Sequence, residues 1–397
     1  MDPQMMKMIC LTPVVACILL VAADHICVAD VDATSTTIVC TNFALPNGYP
    51  CKEYTVTTSD GYILTIQRIE HGRAGPQVGA SRPPVILAAG VLQEAAQWLL
   101  NSPEQSLGYI LPDAGFDVWF LNFRGTTDSS RHVSLSTEDK EFWDWSLDEL
   151  ASFDIPATLQ LVYQTTGSQA YYIGHSQGTT VALAAFINTN VRQMVKAAVL
   201  LSPIVYLHHI TSQVGLAFSY MYLDQVYLLS GASNFNISSG SLGSALLDQA
   251  CVKVNCGDIL NSFTGASSEF NSSRMGFYSK FMPQPTSANN IAHLAQLVRN
   301  DGLRKYDMGQ VGNMNKYGQA TSPEYNISSI PKEFPVLLAL GGLDHLSDPV
   351  DVQNLIYDLR CSVKTIYNPH YGHADYILGI NAWKEAYPQV INFLRSF

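Results

Sequence analysis

From Ala170 to Ile187 the chain reads AYYIGHSQGTTVALAAFI: an apolar, β-prone run, a Gly-His-Ser-Gln-Gly turn, then a continuous apolar stretch with helical character. A strand that turns this sharply into a helix admits few architectures. It is the strand–elbow–helix context that a nucleophilic serine needs. Glycine at positions 174 and 178 removes the Cβ atoms that so tight a turn would drive into neighbouring backbone. The turn lifts the Ser176 hydroxyl clear of the sheet and sets it beside the first N–H groups of the following helix, where an oxyanion can be held. Ser176 is read as a nucleophile, with Gly174, His175 and Gly178 forming its elbow.

The rest of the chain fits a large α/β protein. The segment from Glu53 to Ile69 alternates with a period of two and breaks at Asp60-Gly61, which is a hairpin signal. Apolar runs of strand length follow at Val85–Ala89, Phe116–Leu121, Ala170–Ile173, Ala197–Leu201, Phe334–Leu340 and Val363–Tyr367. Between them lie helical patterns at Trp145–Tyr163, Thr179–Ile187, Val350–Leu359 and Ala382–Leu394. Buried strands alternating with helices predict a mostly parallel central sheet flanked by helices.

The rhythm fails once. Residues 202–333 contain no clear strand, and connections inside α/β units are far shorter. This interval is read as an inserted helical cap, dividing a core made of residues 40–201 and 334–397. Near its start, Val214 to Leu229 (VGLAFSYMYLDQVYLL) is apolar on nearly every face, interrupted mainly by Asp224 and Gln225. It reads either as a buried cap helix or as the wall of an apolar substrate tunnel above Ser176.

Composition excludes several functions. With 47% hydrophobic and 14% charged residues the chain is neither disordered nor short of core material. A formal net charge of −11 argues against nucleic acid and against electrostatic docking on anionic membrane, so any lipid contact must be apolar. Residues 1–29 resemble an export signal: Lys7 precedes an apolar run from Met8 to Ala23, with small residues at Ala22-Ala23 and Val28-Ala29. That run is short for a membrane span and Pro13 interrupts it, and no second run of spanning length follows. Sequons at Asn236, Asn271 and Asn326 agree with export. In an oxidising compartment two close pairs are candidate disulfides, Cys40 with Cys51 and Cys251 with Cys256, which leaves Cys361 as a buried thiol. The expected location is the secretory pathway, with an extracellular, vacuolar or other lumenal destination.

A serine needs a histidine base and a carboxylate to orient that base. Two late strands end in loops on the side of the sheet that carries the elbow. One runs into Gly341-Gly342-Leu343-Asp344, the other into Asn368-Pro369-His370-Tyr371-Gly372-His373. The acid is Asp344, Asp348 or Asp351, with Asp351 the poorest because it falls inside a helical pattern. The base is His370 or His373. His208-His209 has no spaced Cys, Asp or Glu companions and reads as packing rather than a metal site. Trp143 and Trp145 read as core packing at a helix start. No phosphate-cradling loop or metal motif is present, and no cofactor is expected.

Several longer motifs carry a resemblance: Thr57-Thr58-Ser59-Asp60-Gly61-Tyr62, the run from Leu99 to Gly108 (LLNSPEQSLG), Gly115-Phe116-Asp117-Val118-Trp119, Phe142-Trp143-Asp144-Trp145-Ser146, and the segment from Gly174 to Thr179. In this order they resemble the acid lipases of the α/β-hydrolase superfamily, which include plant triacylglycerol lipases and animal gastric and lysosomal acid lipases. The resemblance extends from about Cys40 to the C-terminus and implies the α/β-hydrolase fold with an inserted cap. It implies a triad of Ser176, Asp344 (in Gly-Gly-x-Asp) and His373 (in His-x-Asp), acting on fatty-acyl esters through an acyl-enzyme. The oxyanion donors implied are the backbone N–H groups of Gln177 and Val91. Here the chain departs from the family, with Ala89-Gly90-Val91 in place of His-Gly-Leu. The family also implies activity in acid, which requires His373 to remain unprotonated there; burial favours that and the Asp344 carboxylate opposes it. Two other readings use the same scaffold: a non-catalytic receptor for a small apolar ligand, and an acyltransferase with an alcohol as acceptor.

Overall fold

The computed structural model describes residues 28–30, 37–76, 81–236, 261–267 and 269–397. Of the expected leader, residues 1–27 lie outside the described residues. One ten-stranded sheet organises the molecule. In chain order its strands begin with β1 (Val28–Asp30), β2 (Lys52–Thr57), β3 (Tyr62–Ile69), β4 (Pro84–Ala88), β5 (Asp117–Leu121), β6 (Arg131–His132), β7 (Ala170–His175) and β8 (Val195–Leu201). The short strands β9 (Asn234–Phe235) and β10 (Thr286–Ser287) stand apart from it, and β11 (Pro335–Gly341) and β12 (Ser362–Asn368) complete it. The spatial order is β1-β2-β3-β5-β4-β7-β8-β11-β12, with β6 beside β3.

From β5 to β12 every pairing in the large sheet is parallel, while β1, β2, β3 and β6 join antiparallel at one edge. All residues of β4, β5 and β7 are buried, which is why these strands read as continuous apolar runs rather than alternating ones. Strand β12 departs from that pattern. It lies at the far edge with only Ile366 buried, so its outer residues face solvent. Strand β1 takes in the last two residues of the expected leader. A leader ending at Ala22-Ala23 would leave β1 in place, whereas one ending at Ala29 would cut it.

Two apolar layers cover the sheet. One face carries helices over Ile155–Thr166, Gln177–Phe186 and Pro349–Leu359, the other Leu107–Asp113 and Tyr387–Leu394. The C-terminal helical pattern divides at Ala386, ahead of Pro388, into Ala382–Glu385 and Tyr387–Leu394. Trp143 and Trp145 are buried and stack on each other over Gly125.

Of the two expected disulfides the structure describes one, which joins Cys40 to Cys51. The other does not appear among the described residues, because Cys251 and Cys256 both lie outside them. The expected bond between Cys251 and Cys256 therefore has no counterpart in the described structure. Cys361 is half-buried rather than fully buried, with a free thiol that burial pushes up to about 11.

Within 202–333 two expectations are corrected. The interval is not strand-free, since β9 and β10 pair antiparallel. Nor is Val214–Leu229 one buried helix. It forms two helices, Gln213–Tyr220 and Leu223–Leu229, broken at Tyr222, which adopts a left-handed φ of 54°. The residues buried in them are polar, Ser219 and Asp224, while Val214, Tyr220, Met221, Val226 and Leu229 are exposed. Arg299, at the end of the helix Ala288–Arg299, supplies the reason. Its guanidinium donates to both Asp224 carboxylate oxygens at 2.8 Å and to the Ser219 carbonyl at 2.7 Å. Once that buried ion pair is seated, the apolar flanks are left outside.

Candidate active site

Strand β7 delivers Ser176 at its C-terminal end with φ 52° and ψ −123°, a conformation that costs free energy in a non-glycine residue and must be held from outside. The flanking glycines explain how it is held. A Cβ on Gly174 would lie 2.7 Å from the Gly178 carbonyl oxygen, and one on Gly178 would lie 2.7 Å from that of Ala88. The helix over Gln177–Phe186 therefore packs directly on β7 and β4. Thr179 fixes the turn further, its N–H and hydroxyl both donating to the Ser176 carbonyl.

The loops after β11 and β12 converge on the hydroxyl. Ser176 Oγ donates to His373 Nε2 at 2.8 Å, and His373 Nδ1–H faces both oxygens of Asp344 at 3.0 Å. All three side chains are buried. Asp344 Oδ1 also accepts from the backbone N–H groups of Leu346 and Ser347, at 2.9 and 2.8 Å. Burial pushes the Asp344 carboxyl up, but the charge and hydrogen bond of His373 and these two N–H groups outweigh it and hold it below the ordinary carboxylate value.

The competing residues are engaged elsewhere. Asp348 caps the helix Pro349–Leu359 by accepting from the Val350 N–H at 2.8 Å. Asp351 accepts from the N–H and ring Nδ1 of His209, so the His208-His209 pair does have an acidic partner, whose hydrogen bond raises the His209 imidazole above its ordinary value. His370 is exposed beyond Asn368. Among the described residues no group of three or more His, Cys, Asp or Glu side chains could hold a metal ion.

His175 braces His373. Its Nε2–H donates to the His373 carbonyl at 2.9 Å; burial, aided by nearby His373, drives its imidazole down to about 3, so it stays neutral. Further contacts complete the frame, and of their residues Thr264, Ser267 and Asn290 carried no sequence signal. The carbonyl of Thr264 accepts from the N–H groups of both His373 and His345, at 3.1 and 3.3 Å. Asp375 accepts from Gly372 N–H at 2.6 Å and from the Ser267 hydroxyl. Gln177 Nε2 donates to Asn290 in the cap at 2.6 Å. Val91, Gln177, Thr286 and Asn290 line one small cavity, which Ser176 itself does not line. Gln177 is the first residue of its helix, so its backbone N–H has no partner within that helix.

Of the three sequon asparagines, Asn236 and Asn271 are half-buried and Asn326 is exposed. The Asn271 and Asn326 side chains each accept from the serine two residues on.

Comparisons with known proteins place the chain in a family. The α/β hydrolase fold family matches residues 83–380, and a partial α/β-hydrolase lipase region matches residues 40–102. Triacylglycerol lipase 1 of Arabidopsis thaliana is 40% identical over 359 residues, covering 90% of each chain. The gastric triacylglycerol lipase of Homo sapiens is 33% identical over 360 residues, covering 88% of this chain and 89% of its own. Among solved structures, a soluble variant of a monoglyceride lipase from Saccharomyces cerevisiae superposes with a TM-score of 0.54 at 14% identity. It covers 87% of this chain and 96% of its own, a likeness of fold alone.

Proposed function

The chain belongs to the lipases of the α/β-hydrolase family, and we propose that Ser176, His373 and Asp344 are its catalytic triad, with the N–H groups of Val91 and Gln177 as oxyanion donors. The protein is a carboxylic ester hydrolase of the triacylglycerol lipase type. The observation that carries the residue roles is His373, which bridges Ser176 and Asp344 within hydrogen-bond distance on both sides.

Each step follows from that bridge. His373 Nε2 removes the Ser176 proton as Oγ attacks the acyl carbonyl, and the negative oxygen of the tetrahedral intermediate turns toward the two N–H groups. Asp344 stabilises the imidazolium without taking its proton. His373 then protonates the departing alcohol, and the acyl group remains as an ester on Ser176. Water enters, gives its proton to His373 and attacks that ester. Collapse returns the proton to Ser176 and releases the fatty acid.

The described residues between 202 and 333 serve in this reading as a cap over the site. The exposed side chains of Val214, Tyr220, Met221, Val226 and Leu229 support an apolar approach to a lipid surface. No helix among the described residues is long and apolar enough to cross a membrane. We place the protein in the secretory pathway on the Cys40–Cys51 disulfide, which suits an oxidising compartment. Ser176→Ala is expected to abolish hydrolysis of p-nitrophenyl acyl esters and labelling by a fluorophosphonate. Undiminished hydrolysis by the folded variant would refute the assignment. Hydrolysis of a triacylglycerol emulsion by the wild type, with fatty acid titrated as it is released, tests the substrate class.

A further inference from the structure

We propose that Gln93 is a positioning residue of the oxyanion hole, its side-chain carbonyl fixing the loop that carries Val91 beside the nucleophile. The inference rests on the assignment of Val91 and Gln177 as oxyanion donors. Strand β4 ends at Ala88, and the loop that follows runs close to the elbow: a Cβ on Gly90 would lie 3.0 Å from Ser176 Cβ and 3.4 Å from His175 Nδ1. The buried Ala89 has only a methyl group and can hydrogen-bond to nothing through its side chain. Leu92 sits at φ 60°, a left-handed conformation that a leucine does not hold unaided. Something else must hold the loop.

Gln93 does so by folding back. Its Oε1 accepts the Gly90 N–H at 3.1 Å, closing the turn on either side of Val91. Its Nε2 reaches Met282 Sδ at 3.6 Å, and the neighbouring Gln284 N–H donates to the Leu92 carbonyl at 2.8 Å. The loop is thus clamped between Gln93 and the segment over residues 282–284. The direction of the Val91 N–H depends on that clamp, because Val91 lies between the bonded Gly90 and the strained Leu92.

The same oxygen lies 3.3 Å from His175 Nδ1. The His373 carbonyl can only accept, so the single proton of the neutral His175 ring is on Nε2 and Nδ1 presents a lone pair. Two acceptors therefore face each other, and the amide satisfies Gly90 at the expense of His175. A carboxylic acid with its hydroxyl oxygen at this position would satisfy both, its O–H donating to Nδ1 while a lone pair of the same oxygen accepts from Gly90. The titratable groups facing this position are His175 and, behind it, His373 with Asp344; Arg124, paired with Asp60 and Asp154, lines the same small cavity as Gln93, and Met282 on the other side is neutral.

Two variants test the proposal through kcat and KM on a soluble p-nitrophenyl ester, from about pH 5 to about pH 8, alongside urea unfolding. Gln93→Met keeps the length and loses the acceptor, and is expected to lower kcat about tenfold with KM within about twofold, since only transition-state stabilisation is affected. Gln93→Glu is expected to match the wild type in acid. It should fall behind it by about tenfold as the carboxyl ionises beside the developing oxyanion. A wild-type kcat in Gln93→Met, or a Gln93→Glu to wild-type ratio that is flat across pH, would overturn it. If Gln93→Met is merely unfolded, its urea midpoint reveals that, and the acid behaviour of Gln93→Glu then decides. Retained activity in Ser176→Ala would instead overturn the site assignment itself, whatever the Gln93 variants do.

Discussion

Replacing Glu94 by glutamine should leave the protein unchanged in acid and make it more stable at mildly alkaline pH. Glu94 follows the loop that carries Val91 and is 1% exposed. Burial, and after it the nearby Asp128 carboxylate, push its carboxyl from an ordinary 4.5 up to about 8, against a smaller opposing effect from the Asp128 N–H. Asp128 is itself raised to about 6, chiefly by burial. The unfolded chain releases the Glu94 proton near its ordinary value, whereas the folded chain retains it to about 8. Across that window the folded state binds more protons, so stability is full in acid and declines as pH rises.

Each tenfold change in proton affinity is worth about 1.4 kcal/mol, which puts the loss at no more than about 5 kcal/mol once Glu94 is fully ionised. Relaxation and a high effective dielectric reduce it, and about 2 kcal/mol is the expected part recovered near pH ~8 by a side chain that never ionises. Asp128, Asp154 and Asp375, each raised to about 6 primarily by burial, retain the rest of the slope in the variant. Urea unfolding of both proteins near pH ~5 and pH ~8 measures the difference. Equal losses of stability between the two pH values in wild type and Glu94→Gln would refute the reasoning. So would a variant destabilised at both, which would mean the carboxyl makes bonds that glutamine cannot replace.

Asp344→Asn keeps the shape of the site but no longer fixes the His373 tautomer, and kcat on a p-nitrophenyl ester should fall by about 10⁴ with the fold retained. Gly178→Ala drives a Cβ to 2.7 Å from the Ala88 carbonyl oxygen; a loss of about 3 kcal/mol is expected from urea midpoints, together with reduced fluorophosphonate labelling. The double variant Cys40→Ser/Cys51→Ser opens a disulfide spanning a separation of 11 residues. It should cost about 3 kcal/mol by the same measurement, with kcat per folded molecule preserved.

The core was legible because its physics is local. Runs such as Val85–Ala89 and Ala197–Leu201 are apolar on both sides, and the structure uses them as β4 and β8, buried on both faces of the sheet. The elbow was legible because a close backbone approach admits only glycine at 174 and 178. The acid and base were only half legible. Pattern left three aspartates and two histidines open, and only the family resemblance narrowed them. The feature that separates Asp348 and Asp351 from Asp344 is three-dimensional, a helix cap for one and a His209 partner for the other. The frame behind His373 left no trace at all, because the carbonyl of Thr264 is present in every residue type.

The expectation of a single buried helix over Val214–Leu229 fails for a different reason. A segment apolar on nearly every face has no hydrophobic periodicity, so nothing in it says which side turns inward. Its few polar residues read as interruptions, yet Asp224 is the residue that faces in, because it meets Arg299 from a helix far along the chain. An unpaired carboxylate would not be buried there, and an unpaired guanidinium would not be either; each is tolerable only with the other. The pair therefore fixes the rotation of the helix Leu223–Leu229 and, with the Arg299 bond to the Ser219 carbonyl, that of Gln213–Tyr220. The apolar side chains take what is left, the outside. A polar residue inside an apolar run is better read as a demand for a partner than as a break in the pattern.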